Sequence, residues 1–505
     1  MQFEPSLENA AALYAAGRPF TLAVRFLADL ETPLGAYIRL SQAAGPSFLL
    51  ETVQDLSVRG RYSMIGIAPD LIWRCVNGKA QINRQAARDP EAFVDEAAGP
   101  LESLRALISE SAIDLPAGLP PMAAGVFGYL GYDMVRHMER LPHINPDALG
   151  VPEAIMVRPT VMAVFDSLKD ELILVTPVRP QAGVAASAAL AGAQERLEAA
   201  VAALSAPLPV VDQADVTEMA EPEAVSNTPP ETFIAMVEKA RDYVRAGDIF
   251  QVVLGQRFEA PFTLPALSLY RALRRINPSP YLSFLDFGDF QLVCSSPEIL
   301  VRSREGKVTI RPLAGTRPRG ATPEEDRRLG EELLADPKER SEHLMLLDLG
   351  RNDVGRVSQI GTVKVTESFV LEHYSHVQHI VSNVEGAQDP RFDALDALVA
   401  GFPAGTLSGA PKVRAMEIID ELELERRGPF GGCIGYFSAN GDMDTCIVLR
   451  TAIVKDGKMA VQAGAGVVYD SDPKSELMEC VNKSKALFRA AEEAIRVAGQ
   501  AGRSQ

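Results

Sequence analysis

The chain has 505 residues, of which 67 are Asp or Glu and 50 are Lys or Arg, and its formal charge at neutral pH is −17. This acidic balance disfavours a protein that coats nucleic acid or binds an anionic membrane, because both roles require an excess of basic side chains. The composition, 47% hydrophobic and 23% charged, is typical of a globular protein that can bury large cores.

The sequence lacks the features of a secreted or membrane-spanning protein. No apolar run reaches the roughly 20 residues that a spanning helix needs, and no basic segment precedes an apolar core at the N-terminus. The five cysteines are odd in number, widely spaced and without a CxxC motif, which disfavours a disulfide framework or a zinc knot. We therefore predict a cytoplasmic protein whose cysteines are small buried hydrophobic residues.

Residues 1–204 are predicted to form an N-terminal region of mixed helices and strands. The segment FLLETVQ and the run 155–178 have the β-branched, alternating character of strands, and the Ala-rich stretch 183–204 predicts a helix. Residues 205–230 then contain five prolines and five acidic residues without periodicity. We predict that they form an exposed linker.

Residues 231–500 are predicted to form a second domain that opens with an amphipathic helix, because apolar residues recur at 4-3-4 spacing from Phe233 and Gly247 follows the run. IFQVVLGQRF predicts a strand that is apolar on both faces except at Gln251. Strands and helices do not alternate regularly, so we predict an α+β fold with large antiparallel sheets. The other predicted elements are helices at 324–350 (interrupted near Pro337), 410–425 and 475–497, and the strands CIGYFSA, TCIVLRTAIV and KMAVQAGAGVV.

The last predicted helix carries an apolar stripe over 477–495 that should face the core. Glu476, Glu479 and Lys483 cluster away from that stripe at about 100° per residue. They form either a solvated face or a face that presents a metal ligand and an anion-binding cation. Glu342, on another predicted helix, is likewise either a solvated surface acid or a metal ligand. Two carboxylates from separate helices would suit Mg²⁺ if the fold brought them together.

Three loops rich in small residues, RPLAGTRPRG, AGTLSGAPK and QAGAGVV, form either an anion-binding backbone or ordinary tight turns. None matches a nucleotide-binding glycine motif. Three single residues also leave alternatives open. Arg450 is an edge residue or a carboxylate-binding group, His379 is structural or an acid–base group, and Glu298 is a solvated turn residue or a desolvated general acid.

Ten motifs in a fixed order along the chain together carry a family resemblance. They resemble the chorismate-utilising enzymes, and within them the large subunits of anthranilate synthases. The resemblance implies antiparallel sheets that form a sandwich flanked by helices, with an N-terminal regulatory portion packed on a chorismate-binding core. The motifs are GDIFQVVLGQRF, NPSPYLSFL, SSPEIL, RPLAGTRPRG, SEHLMLLDLGRNDVGRV, HVQHIVS, GTLSGAPKVRAMEII, GGCIGYFSANGDMDTCIVLR, QAGAGVVYDSDP and ELMECVNKSKA.

The resemblance implies a Mg²⁺-dependent enzyme whose substrate, chorismate, is a ring compound with two carboxylates. Glu342 and Glu479 would hold the ion against the ring carboxylate. Glu298 would protonate the departing C4 hydroxyl while ammonia attacks C2, and His379 and Thr406 would assist the elimination of pyruvate. The implied substrate-binding residues are Gly315, Thr316, Phe430, Arg450, Gly464, Ala465, Gly466 and Lys483.

Two positions separate the branches of this family. Relatives that add water carry a basic Lys at the catalytic position of Gln251, and Gln cannot act as a base. Relatives that make aminodeoxychorismate carry a nucleophilic Lys at the position of Ala314, which cannot form a covalent adduct. Both differences favour amination at C2 and release of anthranilate. The remaining alternatives are an aminodeoxychorismate synthase and a catalytically silent tryptophan-binding relative.

The resemblance also implies tryptophan feedback, because FLLETVQ corresponds to the family's LLES element and NPSPYLSFL to NPSPYM. The inhibitor pocket would be coupled to the active site through a two-state rearrangement. Three departures from the family pattern are Thr52 in place of Ser, Leu282 in place of Met, and Phe430 in place of a Tyr. The implied tryptophan-binding residues are Glu51, Thr52, Pro280, Tyr281 and Leu282.

The pattern Gly-x-Cys-x-Gly occurs at 431–435, but no His follows it, so the chain has no nucleophile elbow with the downstream His–Glu pair that a glutaminase would need. The resemblance therefore implies a separate glutamine amidotransferase subunit, the component II of anthranilate synthases, in a hetero-oligomer. The predicted function is the conversion of chorismate and ammonia to anthranilate and pyruvate, the first committed step of tryptophan biosynthesis.

Overall fold

The computed structural model describes residues 1–42, 45–55, 58–209, 223–374 and 377–499. Over these ranges every pairing between named strands is antiparallel. Helices pack against the faces of the strands, as α-helical and β-sheet layers do when each must bury one apolar face. The predicted α+β fold with large antiparallel sheets is confirmed.

The N-terminal half confirms the predicted strands at FLLETVQ and 155–178 and the predicted helix at 183–204. Its helices are α1 (Leu7–Ala15), α2 (Pro33–Leu40), α3 (Pro100–Glu110) and α4 (Ala186–Ser205), with 3-10 turns at Pro121–Ala123 and Tyr132–His137. Its strands are β1 (Phe20–Leu27), β2 (Ser47–Asp55), β3 (Val58–Val76), β4 (Lys79–Asn83), β5 (Val94–Asp95), β6 (Gly125–Leu130), β7 (Ala154–Asp166), β8 (Glu171–Val178) and β9 (Val225–Ser226).

The C-terminal half contains the helices and strands that its motifs predict, with differences in their ends. Its helices are α5 (Pro230–Ala246), α6 (Ala266–Ile276), α7 (Pro323–Ala335), α8 (Pro337–Gly355), α9 (Ala394–Gly401), α10 (Lys412–Leu422) and α11 (Pro473–Ala498). Its strands are β10 (Gln251–Pro261), β11 (Tyr281–Asp286), β12 (Phe290–Ser296), β13 (Ile299–Arg304), β14 (Lys307–Ile310), β15 (Leu313–Pro318), β16 (Lys364–His373), β17 (Val377–Ala387), β18 (Gly409–Ala410), β19 (Cys433–Ser438), β20 (Met443–Ile447), β21 (Thr451–Lys455) and β22 (Lys458–Val467).

The strands of the C-terminal half form two groups that are joined through the N-terminal half. One group runs β10–β22–β21–β12–β11, and the other runs β19–β20–β13–β14–β17, with β15 and β16 beside β17. Between them, β2 pairs with β11, β6 pairs with β19, and β3 and β7 complete the connection. The regulatory and catalytic regions assigned from the sequence therefore share one hydrogen-bonded series of strands.

The predicted linker is described only at its two ends, because residues 210–222 lie outside the described ranges. At its C-terminal end, β9 pairs with β10, and α5 then begins at Pro230. The helix follows the predicted pattern. Phe233 and Val237 are buried, and the chain leaves the helix at Gly247 with a positive φ of 83°, a conformation that Gly adopts without steric cost.

Three local predictions are wrong in detail. The segment TCIVLRTAIV is two strands, because the chain turns after Ile447 and Arg450 adopts a left-handed φ of 49°. Helix α10 begins at Lys412 rather than 410, because Gly409–Ala410 pairs with β10 as β18. In the first turns of α11 the buried stripe starts one residue earlier than predicted, so that Glu476 is buried and only 8% exposed.

All five cysteines are free and buried, as predicted for small hydrophobic side chains. None of the helices in the described ranges combines the length and the apolar character needed to cross a bilayer.

Candidate active site

Glu298 lies in the connection between β12 and β13, where its side chain is buried. Burial raises the pKa of this carboxyl to about 8, against the opposing effects of Thr406, the backbone of Leu313 and the charge of Arg450. The Thr406 hydroxyl donates a hydrogen bond of 3.2 Å to Glu298 Oε1. A carboxyl that keeps its proton near neutral pH is suited to act as a general acid.

His379, on β17, is held as a neutral imidazole. Its Nδ1 donates to the carbonyl oxygen of Gly315 at 2.7 Å and lies 3.2 Å from the Thr316 hydroxyl. Burial lowers the pKa of the ring to about 4, and the positive charges of Arg450 and Lys483 lower it further. Since a carbonyl can only accept, the proton is on Nδ1. The buried Nε2 has no hydrogen-bond partner among the described residues and keeps a free lone pair.

Arg450 is placed by the turn between β20 and β21, where its carbonyl accepts a hydrogen bond from the backbone of Ser295 at 3.2 Å. Burial lowers the pKa of its guanidinium, while Tyr374 and Glu298 act in the opposite direction. No carboxylate forms an ion pair with this guanidinium in the described part of the chain. A desolvated guanidinium without a carboxylate partner is the arrangement expected of an anion-binding site.

Glu342 on α8 and Glu479 on α11 lie near enough for their charges to interact. Burial raises the pKa of the Glu342 carboxyl, a hydrogen bond of 3.0 Å from Gln251 Nε2 opposes this, and the negative charges of Glu339 and Glu479 raise it again. Within the described ranges Glu342 forms no ion pair, whereas Glu479 is paired with Lys483 at 2.6 Å, so the two carboxylates together carry more negative charge than Lys483 alone balances. Oxygen ligands of this kind fit a divalent cation such as Mg²⁺, which keeps waters or substrate oxygens in its other positions.

Lys483 connects this pair of acids to the strand β22. Its Nζ lies 2.6 Å from Glu479 Oε1 and donates to the carbonyl oxygen of Gly464 at 3.0 Å. Two residues further along β22, a Cβ on Gly466 would lie 2.5 Å from Gln251 Nε2. A side chain at Gly466 would therefore displace the Gln251 amide from its position against Glu342, and Ala465 between the two glycines is fully buried.

Four of the five predicted regulatory residues, Glu51, Thr52, Pro280 and Tyr281, line a cavity of about 390 Å³, a volume typical of small-molecule sites. Thr52 and Tyr281 lie opposite each other on the paired strands β2 and β11, and Pro280 precedes them. Glu298 lines the same cavity. The residues assigned to inhibitor binding and the candidate general acid are therefore joined by one continuous space.

Two residues of the predicted tryptophan set have a different environment. The Glu51 carboxylate is buried and accepts hydrogen bonds from the Tyr270 hydroxyl at 2.6 Å and from the Arg274 guanidinium at 2.7 and 2.9 Å. Its charge is compensated within the protein. Leu282 is 2% exposed, belongs to the hydrophobic core and does not line the cavity, because it lies between Tyr281 and Ser283 on an alternating strand.

Phe430 lies apart from the large cavity. Its ring packs 5.6 Å from the Arg427 guanidinium and lines a separate void of about 10 Å³. Sequence reasoning also missed Tyr374, whose ring meets that of His379 edge-on at 5.3 Å and which lines the large cavity. Its position two residues before the HVQH motif is the only indication that the sequence offered.

The residues assigned to catalysis and to the metal, with Arg450 and Lys483 of the substrate set, thus form one connected cluster, and Phe430 lies outside it. Glu298, Thr406 and Arg450 meet at one end, His379 interacts with Arg450 and Lys483, and Lys483 continues through Glu479 to Glu342 and Gln251. A general acid, an unpaired guanidinium, a neutral imidazole and a pair of acids that share one Lys suit an anionic substrate that loses a hydroxyl group.

Comparison with known families agrees with this geometry. The family described as chorismate binding enzyme matches residues 60–489. The chain belongs to this family. The chorismate-binding enzymes most similar to it include anthranilate synthase component 1 of Cereibacter sphaeroides, 56% identical over 98% of this chain and 99% of the relative. The corresponding protein of Thermus thermophilus is 48% identical over 92% of this chain and 96% of the relative.

A solved chorismate-binding enzyme supports the same assignment. The crystal structure of anthranilate synthase component I from Streptococcus pneumoniae TIGR4 superposes with a TM-score of 0.74 at 37% identity, covering 85% of this chain and 92% of the other. The family resemblance stated from the motifs is confirmed, and the chain is a chorismate-utilising enzyme.

Proposed function

We propose that this chorismate-utilising enzyme is the catalytic subunit of an anthranilate synthase, which converts chorismate and ammonia to anthranilate, pyruvate and water. The observation that carries the proposal is the buried Glu298 carboxyl, whose pKa burial raises to about 8, together with the unpaired guanidinium of Arg450. Gln251 and Ala314, at positions where other branches of the family use Lys, favour this reaction over water addition and over an aminodeoxychorismate product. The similarity to proteins named component 1 agrees with it.

In the proposed reaction, Arg450 binds the enolpyruvyl carboxylate and fixes the ring relative to Glu298. Ammonia forms a bond to C2 and gives up one proton to solvent, the ring double bonds shift, and the C4–O bond breaks as Glu298 donates its proton and water leaves. Loss of the C2 proton and cleavage of the C3–O bond then leave an aromatic ring and release the enolate of pyruvate, which takes up a proton at its methylene carbon. The free Nε2 of His379 accepts a hydrogen bond or a proton during this elimination, and Thr406 orients Glu298.

Mg²⁺ is the cofactor that we propose, held by Glu342 and Glu479. When bound, it would screen the charge of the ring carboxylate. Gln251 orients Glu342 through its amide, and Lys483 adds a positive charge next to Glu479. Gly315, Thr316 and the β22 residues Gly464–Gly466 contribute backbone and hydroxyl groups to substrate binding in this proposal.

The decisive experiment mixes the purified chain with chorismate, Mg²⁺ and an ammonium salt. We expect anthranilate fluorescence to rise together with pyruvate, measured by coupled oxidation of a nicotinamide cofactor. Glutamine in place of ammonium should give no product until a glutamine amidotransferase subunit is added, because this chain has no glutaminase motif. Aminodeoxychorismate without pyruvate would identify the alternative synthase, and tryptophan binding without any turnover would identify a silent relative.

Tryptophan inhibition is the second part of the proposal. The cavity joins Thr52 and Tyr281 to Glu298, so an occupied pocket would act directly on the surroundings of the general acid. We expect Thr52→Phe to weaken inhibition by roughly tenfold or more, because its ring would fill space that the inhibitor needs. The measurement is the tryptophan concentration that halves the activity.

Leu282→Met is the matched control for this variant. It restores the residue usual in the family at a position that faces the core, so the inhibition curve should remain unchanged within about twofold. A large shift with Leu282→Met and none with Thr52→Phe would contradict the assignment of the cavity as the inhibitor site.

A further inference from the structure

A cluster of three potential metal ligands lies in the N-terminal half, outside the candidate active site. Cys75 Sγ is 3.8 Å from His137 Nε2 and donates to Glu153 Oε2 at 3.1 Å, while His137 Nε2 is 3.8 Å from that same oxygen. In the described part of the chain, this is the only group of three or more Cys, His, Asp or Glu side chains whose donor atoms converge within 4.8 Å. None of the three residues lines the large cavity.

We propose that Cys75, His137 and Glu153 form a binding site for a divalent transition metal of the zinc class. Tetrahedral coordination at metal–ligand distances of about 2.0–2.3 Å separates neighbouring donor atoms by about 3.3–3.6 Å. The three observed distances lie within about half an ångström of that range. One thiolate, one imidazole and one carboxylate select Zn²⁺ or Co²⁺ over Mg²⁺, which prefers oxygen ligands.

The surrounding structure already orients the Glu153 carboxylate. The second oxygen of Glu153, Oε1, accepts from the Arg426 guanidinium at 3.1 Å, and the backbone N–H of Gly78 donates to Oε2 at 3.0 Å. Partners of this kind fix ligand orientation in metal sites. Because Arg426 belongs to the C-terminal half, the site would also strengthen the contact between the two halves of the chain.

The site has an accessible side. The side chains of His137 and Glu153 are 20% and 13% exposed, whereas Cys75 is fully buried behind them. An ion can therefore enter past the imidazole and carboxylate, and water can complete the fourth position, as in zinc sites with three protein ligands. Binding replaces the thiol proton of Cys75 with the metal and releases that proton to solvent.

This site could not be inferred from ligand spacing. His137 and Glu153 follow Cys75 by 62 and 78 residues, so no short motif of the CxxC type connects them. Only the meeting of the C-terminal end of β3, the 3-10 turn Tyr132–His137 and the start of β7 places the three donors together.

The first test adds Co²⁺ to the full-length chain after treatment with a chelator and records the absorption spectrum. We expect one equivalent of cobalt to produce a thiolate-to-cobalt charge-transfer band, together with visible bands of four-coordinate cobalt. Added Zn²⁺ should abolish both by displacement. Absence of a charge-transfer band at stoichiometric cobalt would overturn the proposal, because the oxygen ligands Glu342 and Glu479 cannot produce one.

The second test compares Cys75→Ser and His137→Asn with the controls Cys433→Ser and His143→Asn. Cys433 is another buried free cysteine, and His143 is an exposed histidine of the same region. The two site variants should lose the charge-transfer band or bind cobalt at least tenfold more weakly, and the controls should retain it. A band that persists in Cys75→Ser would refute the assignment.

A thermal measurement keeps the test valid if a site variant folds poorly. In the unmodified chain, Zn²⁺ at concentrations above its dissociation constant should raise the unfolding temperature, because it binds the folded state preferentially. The same rise should occur with His143→Asn and be absent with His137→Asn, whose imidazole is partly exposed and replaceable. An equal rise in both would contradict the site. Neither result depends on anthranilate formation, so failure of the proposed function leaves this test intact.

Discussion

Replacing Glu342 with Gln should lower the rate of anthranilate formation by roughly a thousandfold or more, because a catalytic metal contributes several kcal/mol to transition-state stabilisation. Gln keeps the size of the side chain and removes the charge that the pair with Glu479 presents to a divalent ion. Glu479→Gln should have a comparable effect. The measurement is kcat with saturating chorismate and ammonium, over a titration of Mg²⁺.

The matched controls lie on the same two helices. Asp348→Asn on α8 and Glu492→Gln on α11 remove exposed carboxylates outside the cluster, and both should leave kcat unchanged within about twofold. Calorimetry with Mg²⁺ and a chorismate analogue should show weaker metal binding only in the two site variants. Near-normal turnover in Glu342→Gln would remove the basis for the metal assignment.

Replacing Glu298 with Gln should lower kcat by a factor of about one hundred to ten thousand, the usual contribution of a general acid. The unmodified enzyme should lose activity as the pH rises through about 8, because the buried carboxyl then loses the proton that it donates. The variant should lack this alkaline limb. Glu305→Gln, which removes an exposed acid in the turn that follows β13, is the control and should keep the profile of the unmodified enzyme.

The same carboxyl predicts how stability depends on pH. Its pKa is raised from an ordinary value of 4.5 to about 8, so between these values the folded chain holds a proton that the unfolded chain has lost. The contribution of Glu298 to the free energy of unfolding therefore decreases as the pH rises through this window. Urea unfolding at several pH values should show a smaller decrease for Glu298→Gln than for the unmodified chain.

Local patterns were sufficient for elements whose own residues decide their structure. The spacing from Phe233 to Val237, with Gly247 at the end, predicted α5 because helix periodicity and a left-handed glycine are local properties. The break after Ile447 was not predictable, since an apolar run without Gly or Pro gave no sign that Arg450 would adopt a positive φ. The burial of Glu476 likewise depends on neighbours that helix periodicity does not contain.

The sequence was sufficient to name residues of the candidate site but not to predict which of them interact in the fold. Motifs named Glu342 and Glu479, yet only the tertiary fold brings these carboxylates of α8 and α11 near enough for their charges to interact. Alternation along β11 places Leu282 in the core, but its motif assigned it to the pocket. The cluster of Cys75, His137 and Glu153 could not be predicted at all, because its donor atoms come from three segments that are distant in the sequence.

The placement of β2 and β6 between strands of the second half bears on how this chain is synthesised. As the first half leaves the ribosome, both strands have an edge whose backbone groups gain their partners only when β11 and β19 emerge, more than 200 residues later for each. Unpaired edges of this kind bind other chains readily. A nascent fragment that stops near residue 230 should therefore aggregate or bind chaperones. If the gene is split at that boundary, neither piece should fold unless the other piece is present.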